Sequence, residues 1–159
     1  MPAPIAIIDF ETTGSTPAQG ARATEVAVVL VEGGRVVDQF QSLMNAGVRI
    51  PPFITQLTGI TNAMVADAPP AAEVMAQARR FVGDTPLVAH NAPFDRGFWQ
   101  AELARANCDA PQPFACTVRL ARRLYPEAPN HQLGTLARFH QLPSAGRAHR
   151  ALADAQVTA

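Results

Sequence analysis

The chain has 159 residues, 48% of them apolar and 16% charged, which suits one domain with a real core and argues against disorder. Its 13 basic and 13 acidic residues cancel, so net charge points to no partner. Composition excludes collagen, coiled coil and a disulfide scaffold. The longest apolar runs, such as 26–31, are far too short to span a bilayer. Asp9 and Glu11 interrupt the early apolar stretch, so no signal peptide is expected. Every basic residue is Arg and none is Lys, a bias that fits genomic composition as well as a liking for phosphate oxygens. Cys108 and Cys116 are too few and too poorly spaced for a zinc site, and read as free thiols in a reducing cytoplasm.

In chain order, residues 4–10 read as a buried, Ile-rich strand. A second β-branched run covers 24–31 and a third 35–43, with Gly33-Gly34 between them as a hairpin signal. Residues 52–57 suggest a short helix opened by proline. Residues 70–82 are amphipathic, with Val74, Ala78, Phe81 and Val82 on one stripe. A short strand follows at 85–89, then helices at 93–106, 117–124 and 132–140. A last helix begins near His149 and runs to Ala159 without a cap, as in a truncated or excised domain. No repeat or linker divides the chain, so 1–159 is expected to be one mixed-sheet α/β domain.

Three stretches carry chemistry. Asp9 and Glu11 are two apart on a strand, so both side chains face one way with their Cα atoms about 7 Å apart. Such carboxylates raise each other's pKa unless a cation lies between them, and hard oxygen ligands suit Mg²⁺ or Mn²⁺. Alternatively one is solvated and the other caps a turn. Asp95 follows the strand at 85–89 and lies in a first helical turn, where the helix dipole favours an anion with or without a further role. His149 and Asp154 are five apart, about 140° around a regular helix. They converge only if His149 lies in the loop before the helix. There it is either a solvated histidine or a general base.

Together, in this order and spacing, the three stretches resemble the motifs of the DEDDh, or DnaQ-like, 3′–5′ exonucleases. The first motif is matched by Asp9-Phe10-Glu11-Thr12-Thr13-Gly14, the second by His90-Asn91-Ala92-Pro93-Phe94-Asp95. The third is matched by His149-Arg150-Ala151 through Asp154-Ala155. Leu57-Thr58-Gly59-Ile60-Thr61 is similar to the version found in Gram-positive polymerase exonuclease domains, with Thr58 where many proofreading subunits carry His. The resemblance covers Ile5 to Asp154. It implies an RNase H-like fold: a five-stranded mixed sheet with the first three strands antiparallel, flanked by helices.

It also implies two divalent cations, Mg²⁺ or Mn²⁺, held by Asp9, Glu11, Asp95 and Asp154, with His149 as general base. Activity is then expected to fall below about pH 6.5, where a histidine base is protonated. Thr12, Thr13 and Gly14 are expected beside the terminal nucleotide, as is Thr58. Phe10 and Phe94 pack near the bases or in the core. Arg150 meets phosphate or a nearby acid, and His90 and Asn91 read as structural. The implied activity is removal of nucleoside 5′-monophosphates from the 3′ end of single-stranded DNA, of proofreading or repair type. RNA ends or short oligoribonucleotides are the alternative, because single-strand readers tolerate either sugar. A non-catalytic nucleic-acid-binding or polymerase-associated module is disfavoured, since all five motif residues are present. A neutral chain lacks a strong counterion-release contribution to affinity, so a polymerase or a further domain is the expected partner.

Overall fold

The computed structural model describes residues 3–143 and 146–159. Five strands form one sheet: β1 (Ile5–Thr12), β2 (Ala23–Glu32), β3 (Arg35–Leu43), β4 (Leu87–Ala89) and β5 (Phe114–Cys116), in the order β3-β2-β1-β4-β5. The first three are antiparallel neighbours, and β4 and β5 add in parallel. Both residues of the tight turn between β2 and β3, Gly33 and Gly34, have positive φ (59° and 77°), as a two-residue turn that follows the twist of its strands requires. The helices are α1 (Pro52–Thr58), α2 (Asn62–Ala66), α3 (Ala71–Val82), α4 (Ala92–Arg105), α5 (Thr117–Leu124), α6 (Leu133–Phe139) and α7 (Ala151–Thr158).

Alternation along β1 sends its side chains to two different layers. Ala6, Ile8 and Phe10 enter the main core with Val26, Val28, Val74, Met75, Phe98, Trp99 and Leu103, beneath α3 and α4. Trp99 is fully buried, and its indole N–H is donated to Gln112 Oε1 at 3.0 Å, which satisfies the one polar atom it carries inside. The stripe expected on α3 is the buried one, except that Phe81 lies at its margin, stacked at 5.8 Å on Phe40 of β3. On the opposite face, Ile7, Ala27 and Val29 meet Ala151 and Ala155 of α7. Those alanines present almost no side chain, so α7 lies close to the sheet and brings Asp154 to the end of β1.

β1 is longer than its apolar pattern suggested. It continues through Glu11 and Thr12, which pair with Glu25 and Ala23 across a bulge. β4 is shorter, starting at Leu87 after Pro86, whose missing N–H cannot join a ladder. β5 has three residues just after Pro113, too short for any periodicity to register. No helix among the described residues is long and apolar enough to cross a membrane.

Candidate active site

The carboxyl end of β1, the start of α4 and the start of α7 meet at one point. Carboxylate oxygens of Asp9, Glu11 and Asp154 all lie within 4.8 Å of one another. Asp9 and Glu11 reach it from alternate positions of β1, on the face that α7 covers. Asp9 Oδ2 is shielded from solvent and has no hydrogen-bond partner among the described residues. Such an oxygen is costly unless a ligand satisfies it.

Asp95, 1% exposed, stands just behind this trio, in the first turn of α4. Its Oδ1 accepts the N–H of Phe10 at 3.0 Å. That N–H lies where β1 has run past the end of β4, so Asp95 replaces a missing strand partner and ties α4 to the acidic end of β1. The turn into α4 is set by Asn91, held at φ 69°. It is also set by His90, whose Nε2 donates to the carbonyl of His131 and whose Nδ1 lies 2.8 Å from Thr117 Oγ1. Burial lowers the pKa of His90, which suits a neutral ring bridging β4, α5 and the segment before α6.

The four acids share an electrostatic problem. Burial, then the charges of Asp95, Glu11 and Asp154, hold the Asp9 carboxyl well above its usual range. Burial and the charges of Asp154, Glu25 and Asp95 push Glu11 up to about 9. Burial raises Asp95 to about 8 against the N–H bond from Phe10, and it also raises Asp154. Without a cation, this site prefers protons to charges.

His149 lies outside α7 with φ 60° and is exposed, the loop position in which it can approach Asp154. Its main-chain N–H, not its ring, contacts Asp154 Oδ2, at 3.1 Å. The ring borders a cleft of about 760 Å³ between α6 and α7, lined also by Leu133, Leu142, Ala153 and Asp154.

The expected nucleotide contacts are less open than the sequence suggested. Thr12 is buried, and its hydroxyl donates to the carbonyl of Gly14 at 2.7 Å. Thr13 Oγ1 accepts the N–H of Arg22 at 3.0 Å. A Cβ at Gly14 would come within 3.3 Å of Ala21 Cβ, so glycine there serves packing inside the loop. Thr58 is 2% exposed; its hydroxyl donates to the carbonyl of Ile54 and accepts the N–H of Ile60. These hydroxyls hold their own loops, leaving main-chain groups as what the loops can offer. Phe10 lies in the core, 6.3 Å from Phe98, and Phe94 is half-buried at 5.0 Å from the same ring.

Two residues escaped the sequence reading. Glu25, 1% exposed, accepts from Arg150 Nε and Nη2, from the Ala151 N–H and from Gln41 Nε2. Glu102, 2% exposed, accepts from Arg22 Nε and Nη2 and from the Ala23 N–H. A signal for each was present, since a glutamate inside an apolar run (Glu25 before Val26–Val29, Glu102 before Leu103) needs a buried partner.

The RNase T family, described as exonuclease, matches residues 6–159. The chain belongs to this family. Its motifs are those of the DnaQ-like branch, and it is a 3′–5′ exonuclease domain. It is 44% identical over 162 residues to a protein of Mycobacterium tuberculosis named as a bifunctional exonuclease/endonuclease, covering 96% of this chain and 25% of that protein. It is 38% identical over 159 residues to the PolC-type DNA polymerase III of Bacillus subtilis, covering 96% of this chain and 11% of the polymerase. The exonuclease domain thus spans a quarter or less of these curated relatives. Among solved structures, Exonuclease X in complex with 5′ overhanging duplex DNA superposes with a TM-score of 0.79 at 32% identity, covering 97% of this chain and 86% of that one.

Proposed function

We propose that residues 1–159 form a cytoplasmic domain that hydrolyses the terminal phosphodiester at the 3′ end of single-stranded DNA and releases nucleoside 5′-monophosphates. The observation that carries this reading is the trio of Asp9, Glu11 and Asp154, with donor oxygens within 4.8 Å of one another and one of them buried without a partner among the described residues. Four acids held above their ordinary pKa fit divalent cations better than any other occupant. Asp9, Glu11 and Asp154 would hold one Mg²⁺ or Mn²⁺, and Asp9 with Asp95 a second. Bound there, the cations supply Lewis acidity toward the scissile phosphate and the attacking water.

The chain's own residues do the rest. His149 takes the proton of the attacking water on its ring, which makes no hydrogen bond among the described residues, while its main-chain N–H makes the contact to Asp154. Asp154 therefore serves twice, as a ligand and as the anchor of the loop that carries the base. Asp95 keeps α4 and β1 in register through Phe10. The loop 12–14, braced by Arg22, lies next to Glu11 and would meet the terminal nucleotide through its main chain. The kinship with a PolC-type polymerase supports action within a larger polypeptide or beside a polymerase.

The test is a matched assay of 3′-end shortening. Two 5′-labelled strands of one sequence, DNA and RNA, are incubated with Mg²⁺, with Mn²⁺ or with chelator, and Asp9→Ala is the control. A metal-dependent ladder, faster on DNA and absent from the variant, is the expected result. A faster RNA ladder would transfer the assignment to exoribonuclease, and no ladder on either strand from folded protein would overturn the reading.

A further inference from the structure

Glu25 lies directly across the β1–β2 ladder from Glu11, so the two side chains share the face that α7 covers. Cβ atoms of such pairs lie about 4.5–5.5 Å apart, and like charges placed so repel. A fifth carboxylate beside four acids is therefore unfavourable unless it is committed elsewhere. It is committed to Arg150, through Nε at 3.2 Å and Nη2 at 2.8 Å, to the Ala151 N–H at 2.8 Å and to Gln41 Nε2 at 2.7 Å. All four partners are donors, which a carboxylate accepts and an amide cannot fully accept.

Arg150 is the cation that Glu25 holds. It stands one residue after His149 and four before Asp154, and its charge already reaches Glu11. A guanidinium released here can turn to the acids of the site, beginning with Glu11, whose charge it already meets, and a fork of N–H donors suits such carboxylates well. Occupying them would fill the place of a cation.

We infer that Glu25 is a positioning residue for the metal site: it binds Arg150 so that the guanidinium does not compete with divalent cations for Glu11 and Asp154. This rests on the metal-dependent reading above. The arrangement also orients α7, because the carboxylate that binds Arg150 receives the first N–H of that helix. Arg150 thus remains close enough to offset acidic charge while its donors stay occupied.

The experiment is Mn²⁺ binding without substrate, by calorimetry, on the wild type, Glu25→Gln and Glu25→Gln/Arg150→Met, with far-UV circular dichroism to confirm folding. In Glu25→Gln the amide oxygen still accepts from Ala151, and Gln41 can turn its own amide, so the helix anchor survives while Arg150 loses its paired grip. Mn²⁺ affinity is expected to fall about 10- to 100-fold, the usual effect of disturbing groups around a metal site. The double variant, which has no guanidinium to compete, is expected to return to within about threefold of the wild type. Unchanged affinity in Glu25→Gln overturns the inference. So does a double variant as weak as the single one, which would make Glu25 only an anchor for α7. Should Glu25→Gln fail to fold, the double variant decides alone, since it buries no unpaired charge: wild-type affinity supports the inference and loss of affinity refutes it. Wild-type protein that binds no Mn²⁺ would instead overturn the metal-dependent reading itself.

Discussion

Glu11→Gln should stabilise the protein at alkaline pH when no metal is present, while weakening its response to metal. Burial and the charges of Asp154, Glu25 and Asp95 raise Glu11 from 4.5 to about 9 in the folded state. A carboxyl raised in this way stabilises the fold fully below its unfolded value, near 4.5, and loses that contribution as pH climbs through about 9. The shift corresponds to at most about 6 kcal/mol, at about 1.4 kcal/mol per pKa unit. Glu11 is only half-buried, so water screens part of this. Coulomb's law gives an independent scale: two unit charges 4.8 Å apart repel by about 3.5 kcal/mol at an effective dielectric constant of about 20. An effect of about 3 kcal/mol is therefore expected, or about 6–12 °C in Tm for a domain of this size. The assay is thermal unfolding in chelator at pH 5, 7 and 9. Wild type should lose stability across that range and regain it with Mn²⁺. Glu11→Gln should lose less and gain little from Mn²⁺. Metal-free wild type that is equally stable at pH 5 and pH 9 would refute the electrostatic argument.

Two further outcomes follow from the packing. Glu102→Ala leaves the guanidinium of Arg22, 15% exposed, without its carboxylate, at a cost of about 3–5 kcal/mol. Denaturant unfolding should show that loss, most of it recovered in Arg22→Met/Glu102→Leu, whereas a loss below about 1 kcal/mol would mean that water already solvates the pair. Gly59→Ala places a Cβ at φ 77° and against the Arg147 guanidinium, so it should cost about 1–2 kcal/mol. By displacing Arg147, two residues from His149, it should lower kcat on a 3′ end while leaving calorimetric Mn²⁺ affinity intact; an equal fall in both would place the effect on the acids instead.

The fold was legible where a pattern was long enough to repeat. β3, α3 and α5 lie close to where β-branched runs and the 3.6-residue stripe put them. α2 has five residues and β5 three, fewer than two full periods of about 3.6 or 2 residues, so no pattern repeats in them and tertiary partners define them. β1 outran its apolar run because Glu11 still pairs with Glu25 across the ladder, and a ladder bond is blind to the side chain's polarity. Asp9 and Glu11 were legible as a pair two apart on one strand face, but the set of four acids came only from the combined motifs, and helix geometry required a loop position of His149 only if it was to meet Asp154. The turned-in hydroxyls of Thr12 and Thr58 were not legible, because each bonds to a main-chain group within four residues, a choice set by backbone conformation and not by residue type. Glu25–Arg150 and Arg22–Glu102 join residues 125 and 80 positions apart, beyond the reach of any local rule.

Those two long-range pairs explain why a site so unfavourable to itself can be held ready for cations. Each consists of a buried glutamate gripped by both prongs of an arginine and by one main-chain N–H, and each lies where β2 begins. Glu102 secures α4 to the residues 22–23 that lead into β2, on one face of the sheet. Glu25 secures α7 to the same strand on the other. The acids that repel one another are carried on just these pieces: β1 between them, Asp95 on α4, Asp154 on α7. Where the metal-free cluster does ionise, at a pH above those raised values, burial and mutual charge press Asp154 and α7 outward. A charged pair joined by two N–H donors and a main-chain bond resists that motion in a direction-specific way that alanine packing cannot. Arginine is required for the grip, because a lysine offers no fork.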